Sequence, residues 1–366
     1  METHTYFMNN MNKKKKVLVA MSGGIDSSVS AALLKQKGFE VVGIYMKMLP
    51  DSSQKNHDQS EQMSAQTADS LGIEHFSIDL SQKFKSQIID YFVKEYSQGR
   101  TPNPCVKCNP YLKFNVLLEE SKKIGADYIA TGHYVRIEKK SNSPEFYIKK
   151  GRDKKKDQSY FLYLLNQRHI QKALMPLGSK KKEQVVKKAQ ELNLPKAQGR
   201  ESQEICFIPE NDYVSFLRKR SSNGFKPGPI LDSQGNILGE HQGYVRFTIG
   251  QRRGLGLAAA HPLYVLDINP NTNEIIVGPE KSLYKKTLTA DEINWVSGKL
   301  LKSPLTVKAQ IRYNHTPQKA LVRPKGSDLI QVEFEEPQRA VTPGQSVVFY
   351  DGDILLGGGT IMESQA

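Results

Sequence analysis

Apolar residues fall in two rhythms along this chain, and the change between them divides it. Over residues 14–135, short apolar runs alternate with longer stretches whose apolar positions recur every three or four residues. The runs at 17–21 (VLVAM), 41–46 (VVGIYM), 75–80 and 127–131 predict strands, the first buried on both faces. Residues 27–34, 61–71, 84–96 and 114–124 predict the intervening helices, and 161–172 and 182–192 predict two more. This repetition predicts an α/β fold, a doubly wound parallel sheet with ligands at the carboxyl ends of its strands. Residues 49–60, polar and rich in Ser, Gln and Asp, predict a mobile loop.

Near residue 213 the texture changes. The turn-rich segment Gly224-Phe225-Lys226-Pro227-Gly228-Pro229 leads into short strands separated by Asp-Ser-Gln-Gly and Asn-Pro-Asn-Thr-Asn turns. From about Lys286 the pattern alternates at 306–313, 319–323, 329–334, 346–350 and 354–356, which predicts a small antiparallel barrel. The expected division is therefore a disordered lead-in at 1–12, an α/β domain at 13–212, a central β-rich domain at 213–285 and a barrel at 286–366. Met1, Met8 and Met11 are alternative starts.

A chain of 366 residues suits several domains rather than one core. No apolar run approaches the ~20 residues of a membrane span, so no membrane partner is expected. Three cysteines are too few for a disulfide framework, which points to a reducing cytoplasm. Lys and Arg outnumber Asp and Glu by 52 to 38, a net charge of +14. Such a surplus favours a polyanionic partner, and RNA suits it better than a membrane because no amphipathic anchor is visible.

The densest chemical signal is Ser22-Gly23-Gly24-Ile25-Asp26-Ser27-Ser28, directly behind the first strand. The glycines let a phosphate approach the backbone, and the N–H groups opening the next helix form an anion site. No Gly-Lys-Ser/Thr follows, so this is not a Walker A loop, and it is not G-x-G-x-x-G. Its S-G-G-x-D-S form is that of the PP-loop of enzymes that split ATP into AMP and pyrophosphate.

Thr101-Pro102-Asn103-Pro104-Cys105-Val106-Lys107-Cys108-Asn109 is the second signal. Its prolines stiffen the approach to the thiols, while Lys107 and Lys113 favour the thiolate. The third thiol is Cys206. Three cysteines cannot complete a four-Cys zinc site, and the flanking pattern is wrong for a thioredoxin-type dithiol. An ATP pyrophosphatase loop, paired and remote thiols and a basic surface together suit replacement of oxygen by sulfur on RNA.

With these words in order, the chain resembles the tRNA-specific 2-thiouridylases, which thiolate the wobble uridine. The resemblance runs from about Lys14 to Ile361. It includes Lys113-Phe114, Thr131-Gly132-His133-Tyr134, Lys156-Asp157-Gln158-Ser159-Tyr160-Phe161-Leu162, Ile205-Cys206-Phe207-Ile208, Gly250-Gln251-Arg252 and Ala340-Val341-Thr342-Pro343-Gly344-Gln345. It implies that Cys108 is the catalytic nucleophile and that Cys206 receives sulfur as a persulfide from a donor protein. Ala20, Met21, Ser22, Gly23, Gly24, Ile25, Asp26, Ser27, Met46 and Gly132 then match ATP-contacting positions, with magnesium on the pyrophosphate. Asn103, Pro104 and Cys105 match the stretch that meets the target base. His133, Lys156, Asp157, Gln158, Arg312, Tyr313 and Gln345 match tRNA-contacting positions.

Two departures stand out. Cys105 replaces an Asp common in the family, so three thiolates (Cys105, Cys108 and Cys206) offer an iron–sulfur alternative to a persulfide relay. Glu201-Ser202-Gln203-Glu204 stands where the family word is nearer Asp-Ser-x-Gly. The rival readings are another PP-loop ATP pyrophosphatase ligase, or a non-catalytic RNA-binding protein.

Overall fold

The computed structural model describes residues 14–49, 54–195, 205–221, 224–326 and 328–365. The expected lead-in at 1–12 and Glu201-Ser202-Gln203-Glu204 lie outside the described residues. The chain forms two compact units, each assembled from three stretches. One takes 1–84, 109–159 and 167–200; the other takes 85–108, 160–166 and 201–366.

In the first unit, β1 (Lys16–Ala20), β2 (Glu40–Lys47), β3 (Glu74–Asp79) and β4 (Tyr128–Ala130) are followed by a hairpin, β5 (Val135–Lys139) and β6 (Phe146–Lys150), and by two-residue β7 (Ala173–Leu174). The main sheet has the order β3-β2-β1-β4-β7 with every pair parallel. Val17, Leu18 and Val19 of β1 are wholly buried, as expected of a central strand covered on both faces. Helices α1 (Ile25–Gln36), α2 (Gln54–Leu71), α3 (Asn115–Lys123) and α4 (Lys182–Glu191) complete the layers. Val29 of α1 shares a cluster with Val185 and Ala189 of α4, so these two helices pack together. The strand order reverses at β1, which places the loops after β1 and β4 beside the topological switch point, where such sheets bind ligands.

The second unit holds a four-stranded sheet and a barrel. β8 (Gly228–Leu231), β9 (Ile237–His241), β10 (Tyr264–Asn269) and β11 (Glu274–Gly278) run in the order β10-β11-β8-β9, with β11 and β8 parallel. The barrel is built from β12 (Tyr284–Trp295), β13 (Leu305–Gln310), β14 (Gln318–Lys325), β15 (Leu329–Arg339), β16 (Ser346–Asp351) and β17 (Ile354–Gln365). Each neighbouring pair is antiparallel, and β17 returns to β12, so the cylinder closes and sheds the edges of an open sheet. Its core includes Val307, Val322, Val332, Phe334 and Phe349, with Trp295 stacked on Phe349 at 5.5 Å.

Several sequence expectations change. The loop expected over 49–60 yields to helix from Gln54 onward, while 50–53 lie outside the described residues. The helix expected over 161–172 does not form. Ser159–Leu162 is a 3-10 turn and Gln167–Ile170 a separate short helix. Asn294 Nδ2 donates to the carbonyls of Tyr163 and Leu165 at 2.6 and 3.0 Å, so a barrel side chain takes up acceptors that a helix would need. The strand expected over 306–313 stops at Gln310, whose Nε2 donates to the Arg312 and Tyr313 carbonyls and holds a turn there.

Candidate active site

At the end of β1, Ala20 pairs with Ile44, and the Met21 N–H donates to the Ile44 carbonyl at 2.9 Å. The chain then turns through Gly23 at φ +76°, where a Cβ would stand 2.4 Å from the Ser60 carbonyl oxygen. Only glycine fits there. Ser27 Oγ ties the turn, donating to the Gly24 carbonyl at 3.0 Å and accepting from the Ser22 N–H at 3.1 Å. Gly24 occupies the N-cap of α1 without a side-chain cap, which leaves the first-turn N–H groups suited to an external anion.

The carboxylate of Asp26 is held by two residues. Lys182 Nζ, at the start of α4, meets its two oxygens at 2.8 and 2.9 Å, and Tyr134 Oη donates to Oδ1 at 2.7 Å. From the loop after β4, Gly132 approaches so closely that a Cβ would lie 3.0 Å from Asp26 C and Ser27 N. Met46, partly buried at the end of β2, pairs in register with Ile78 of β3. Sequence reasoning placed Lys182 only at the start of the helix expected over 182–192. Its partner lies 156 residues away, and no periodicity signals that pairing.

His133 follows Gly132. Its Nδ1 shares a 2.7 Å hydrogen bond with Thr131 Oγ1, and its ring lies 6.0 Å from that of Phe114. Desolvation, with the Lys113 cation adding to it, pushes the imidazole down to about 3. His133 is therefore neutral at working pH and offers Nε2 as a hydrogen-bonding atom rather than a charge.

The thiol site belongs to the second unit. Pro104 opens a one-turn helix, Pro104–Cys108, and Asn103 precedes it, its carbonyl accepting from the Val106 N–H at 3.3 Å. Cys105 is partly exposed, Cys108 is buried and Cys206 is exposed; none of the three is in a disulfide. Lys107 was expected to act on these thiols, yet its Nζ lies 2.6 Å from Glu292 Oε2. Thr360 Oγ1 donates to the same oxygen at 2.8 Å. Burial pushes the Glu292 carboxyl up, but the Lys107 hydrogen bond and charge, with Thr360, hold it below the usual range. Glu292 sits at φ +47° where the β12–β17 register shifts, a bulge that re-aims its side chain.

The remaining positions matched to tRNA contacts divide by partner. Asp157 accepts from the Gly151 N–H at 2.8 Å and from Ser159 Oγ at 2.7 Å, and burial raises its carboxyl. Gln158 Oε1 accepts from the Tyr134 N–H at 2.9 Å. Lys156 is partly exposed on that turn. In the second unit, Arg312 Nη1 donates to the Arg339 carbonyl at 3.0 Å; desolvation, then the Arg339 charge, lowers its guanidinium. Tyr313 is exposed, with its ring 4.6 Å from Phe161. Gln345 Nε2 donates to the Thr101 carbonyl at 2.8 Å, and the Thr101 N–H donates to Pro343, so this turn props the Thr101-Pro102-Asn103-Pro104 approach. Among the described residues, no three His, Cys, Asp or Glu side chains gather as a metal site, and no helix is long and apolar enough to cross a membrane.

Residues 15–210 match the family model described as tRNA methyl transferase HUP domain. Residues 215–279 match the tRNA methyl transferase PRC-barrel domain, and 285–361 the aminomethyltransferase beta-barrel domain. The chain is 47% identical over 359 residues to tRNA-specific 2-thiouridylase MnmA 1 of Caldanaerobacter subterraneus subsp. tengcongensis, covering 96% of this chain and 99% of that protein. It is 47% identical to tRNA-specific 2-thiouridylase MnmA of Carboxydothermus hydrogenoformans, over 95% and 98% of the two chains. The Clostridioides difficile protein of the same name is 42% identical, over 98% and 99%.

Proposed function

The chain belongs to the tRNA-specific 2-thiouridylase family, and on that footing we propose that it is an ATP-dependent sulfurtransferase placing sulfur at C2 of the wobble uridine of tRNA. The observation that carries this reading is the Ser22-Gly23-Gly24-Ile25-Asp26-Ser27 turn at the switch point of a parallel sheet, shaped for a polyphosphate. We assign ATP to Ala20 through Ser27, Met46 and Gly132. The uridine C2 oxygen attacks the α-phosphate and releases pyrophosphate, which turns a poor leaving group into AMP. An anticodon loop is already single-stranded, so presenting the base avoids most of the cost of extrusion.

Sulfur arrives as a persulfide on exposed Cys206 from a donor protein. The terminal sulfur attacks C2 and AMP departs. Cys108 thiolate then attacks the Cys206 sulfur, forming a Cys108–Cys206 disulfide and leaving sulfur on the base. Asn103, Pro104 and Cys105 face the target base in this reading, and His133, Lys156 and Tyr313 meet the RNA. Asp157, Gln158, Arg312 and Gln345 serve it by shaping the turns that carry those groups. The division at residues 212 and 285 separates ATP chemistry from the two β-rich parts. A chemistry that uses thiolates suits a reducing cytoplasm.

Magnesium would be held mainly by the pyrophosphate, whose charge it would neutralise; in the loop, Lys182 and Tyr134 already occupy the Asp26 carboxylate and Ser27 Oγ is engaged by the turn. Among the described residues the three thiols do not gather as a ready-made metal site, and the persulfide route is the one followed here. Two of the matched domains are described as tRNA methyl transferase domains; a PP-loop supplies ATP cleavage, which methyl transfer does not need.

The test is mass spectrometry of tRNA nucleosides after incubation with ATP and a persulfide donor. 2-Thiouridine is expected, and a methylated nucleoside in its place would overturn the reading. Asp26→Ala should abolish AMP release while leaving tRNA binding nearly intact. Cys105→Ser should keep substantial thiolation where Cys108→Ser and Cys206→Ser lose it. Equal loss in all three, with iron in anaerobic protein tracking activity, would favour the cluster.

A further inference from the structure

The PP-loop carries a charge problem. Residues 20–28 contain one ionisable side chain, Asp26, in the first turn of the helix whose N–H groups would receive a polyphosphate. A bare carboxylate there would repel the anion that the loop is shaped for, and no cation lies within the loop to offset it. The compensating charge comes from 156 residues further along the chain.

Lys182 is placed for this by packing. It is the first residue of α4, which buries Val185 and Ala189 against Val29 of α1. Its backbone N–H donates to Asp153 Oδ2 at 2.9 Å, which fixes the start of the helix. Its ammonium engages both Asp26 oxygens and stands 6.0 Å from the centre of the Tyr134 ring, while Tyr134 Oη donates to the same carboxylate. The Lys182 side chain is only 17% exposed and that of Asp26 is 35% exposed, so water screens the pair less than a surface ion pair.

We propose that Lys182 is a positioning residue of the nucleotide site, its ammonium cancelling the Asp26 carboxylate so that the start of α1 accepts a polyphosphate. This rests on the PP-loop reading above and adds to it a residue outside the loop. A lysine that merely staples α4 to α1 would be needed for stability but would not tie ATP affinity to the charge of Asp26.

Equilibrium binding of ATP in EDTA isolates that coupling from any metal. Lys182→Met should weaken binding about tenfold or more, and Lys182→Arg should retain it. Asp26→Asn alone should bind at least as tightly as wild type. The double variant Asp26→Asn/Lys182→Met should return close to wild type, because both charges are gone, with thermal melts confirming that each variant is folded. A double variant as weak as Lys182→Met would overturn the proposal, as would Lys182→Met binding ATP like wild type. Wild-type protein that takes up no ATP would instead overturn the PP-loop reading itself.

Discussion

His133 and His169 are neutral imidazoles, pushed down to about 3 and about 4, chiefly by desolvation. Unfolding returns each to an ordinary value near 6.5, so below that pH the unfolded chain binds protons that the native chain does not. Stability contributed by both is therefore complete above about pH 6.5 and is lost as pH falls from there toward 4. Unfolding free energies from urea titrations at pH 7.5 and 5.5 should differ by roughly 1 kcal/mol per histidine, and His169→Asn should reduce that difference. An unchanged pH dependence in His169→Asn would show that the ring is solvated. At this scale the sequence was legible where one residue type is dictated by its own backbone, as at Gly23. It was silent on Lys182 and Glu292, whose roles come from partners brought together by the fold across 156 and 185 residues.

Among the elements, β12 and β17 show how a closed cylinder depends on absent side chains. A Cβ on Gly357 would lie 2.2 Å from the Asn294 carbonyl oxygen, and one on Gly358 would lie 2.6 Å from that of Val347 and 2.8 Å from the Tyr163 ring. Backbone cannot give way there as a flexible side chain can. Gly358→Ala should destabilise by about 1–3 kcal/mol, seen as a lower melting temperature with β-rich circular dichroism retained. A melt within a degree of wild type would mean that the two strands separate at little cost. The parallel strands were readable because uniform apolar runs admit few other fates, and the barrel because alternation persists to the end of the chain. The 161–172 helix was misread for the complementary reason. Tyr160, Leu162, Tyr163 and Leu165 are all buried, a pattern that helix and irregular core share, and only Asn294 decides between them.

For the whole molecule, a net charge of +14 sets the expected mode of tRNA binding. Affinity should fall steeply with salt, and Lys156→Ala should flatten the log–log slope by about one counterion. Arg312→Ala should behave differently, because its guanidinium holds the Arg339 carbonyl: a lower melt is expected alongside any loss of binding. Salt-insensitive binding would remove the basic surface from the docking account. The interleaving of the two units bears also on how the protein is born. The stretch 85–108, with buried Phe92 and Val106 and the Cys108 turn, belongs to the unit completed by 201–366. On the ribosome that stretch emerges long before Glu292 and Gln345, the residues that receive Lys107 and prop Thr101. Each nascent chain thus spends the time of some two hundred further peptide bonds, roughly ten to forty seconds at ordinary rates, with a bare thiol and sticky aromatics awaiting their seat. A chain released at residue 212 should accordingly precipitate or cling to chaperones, although its ATP loop is complete.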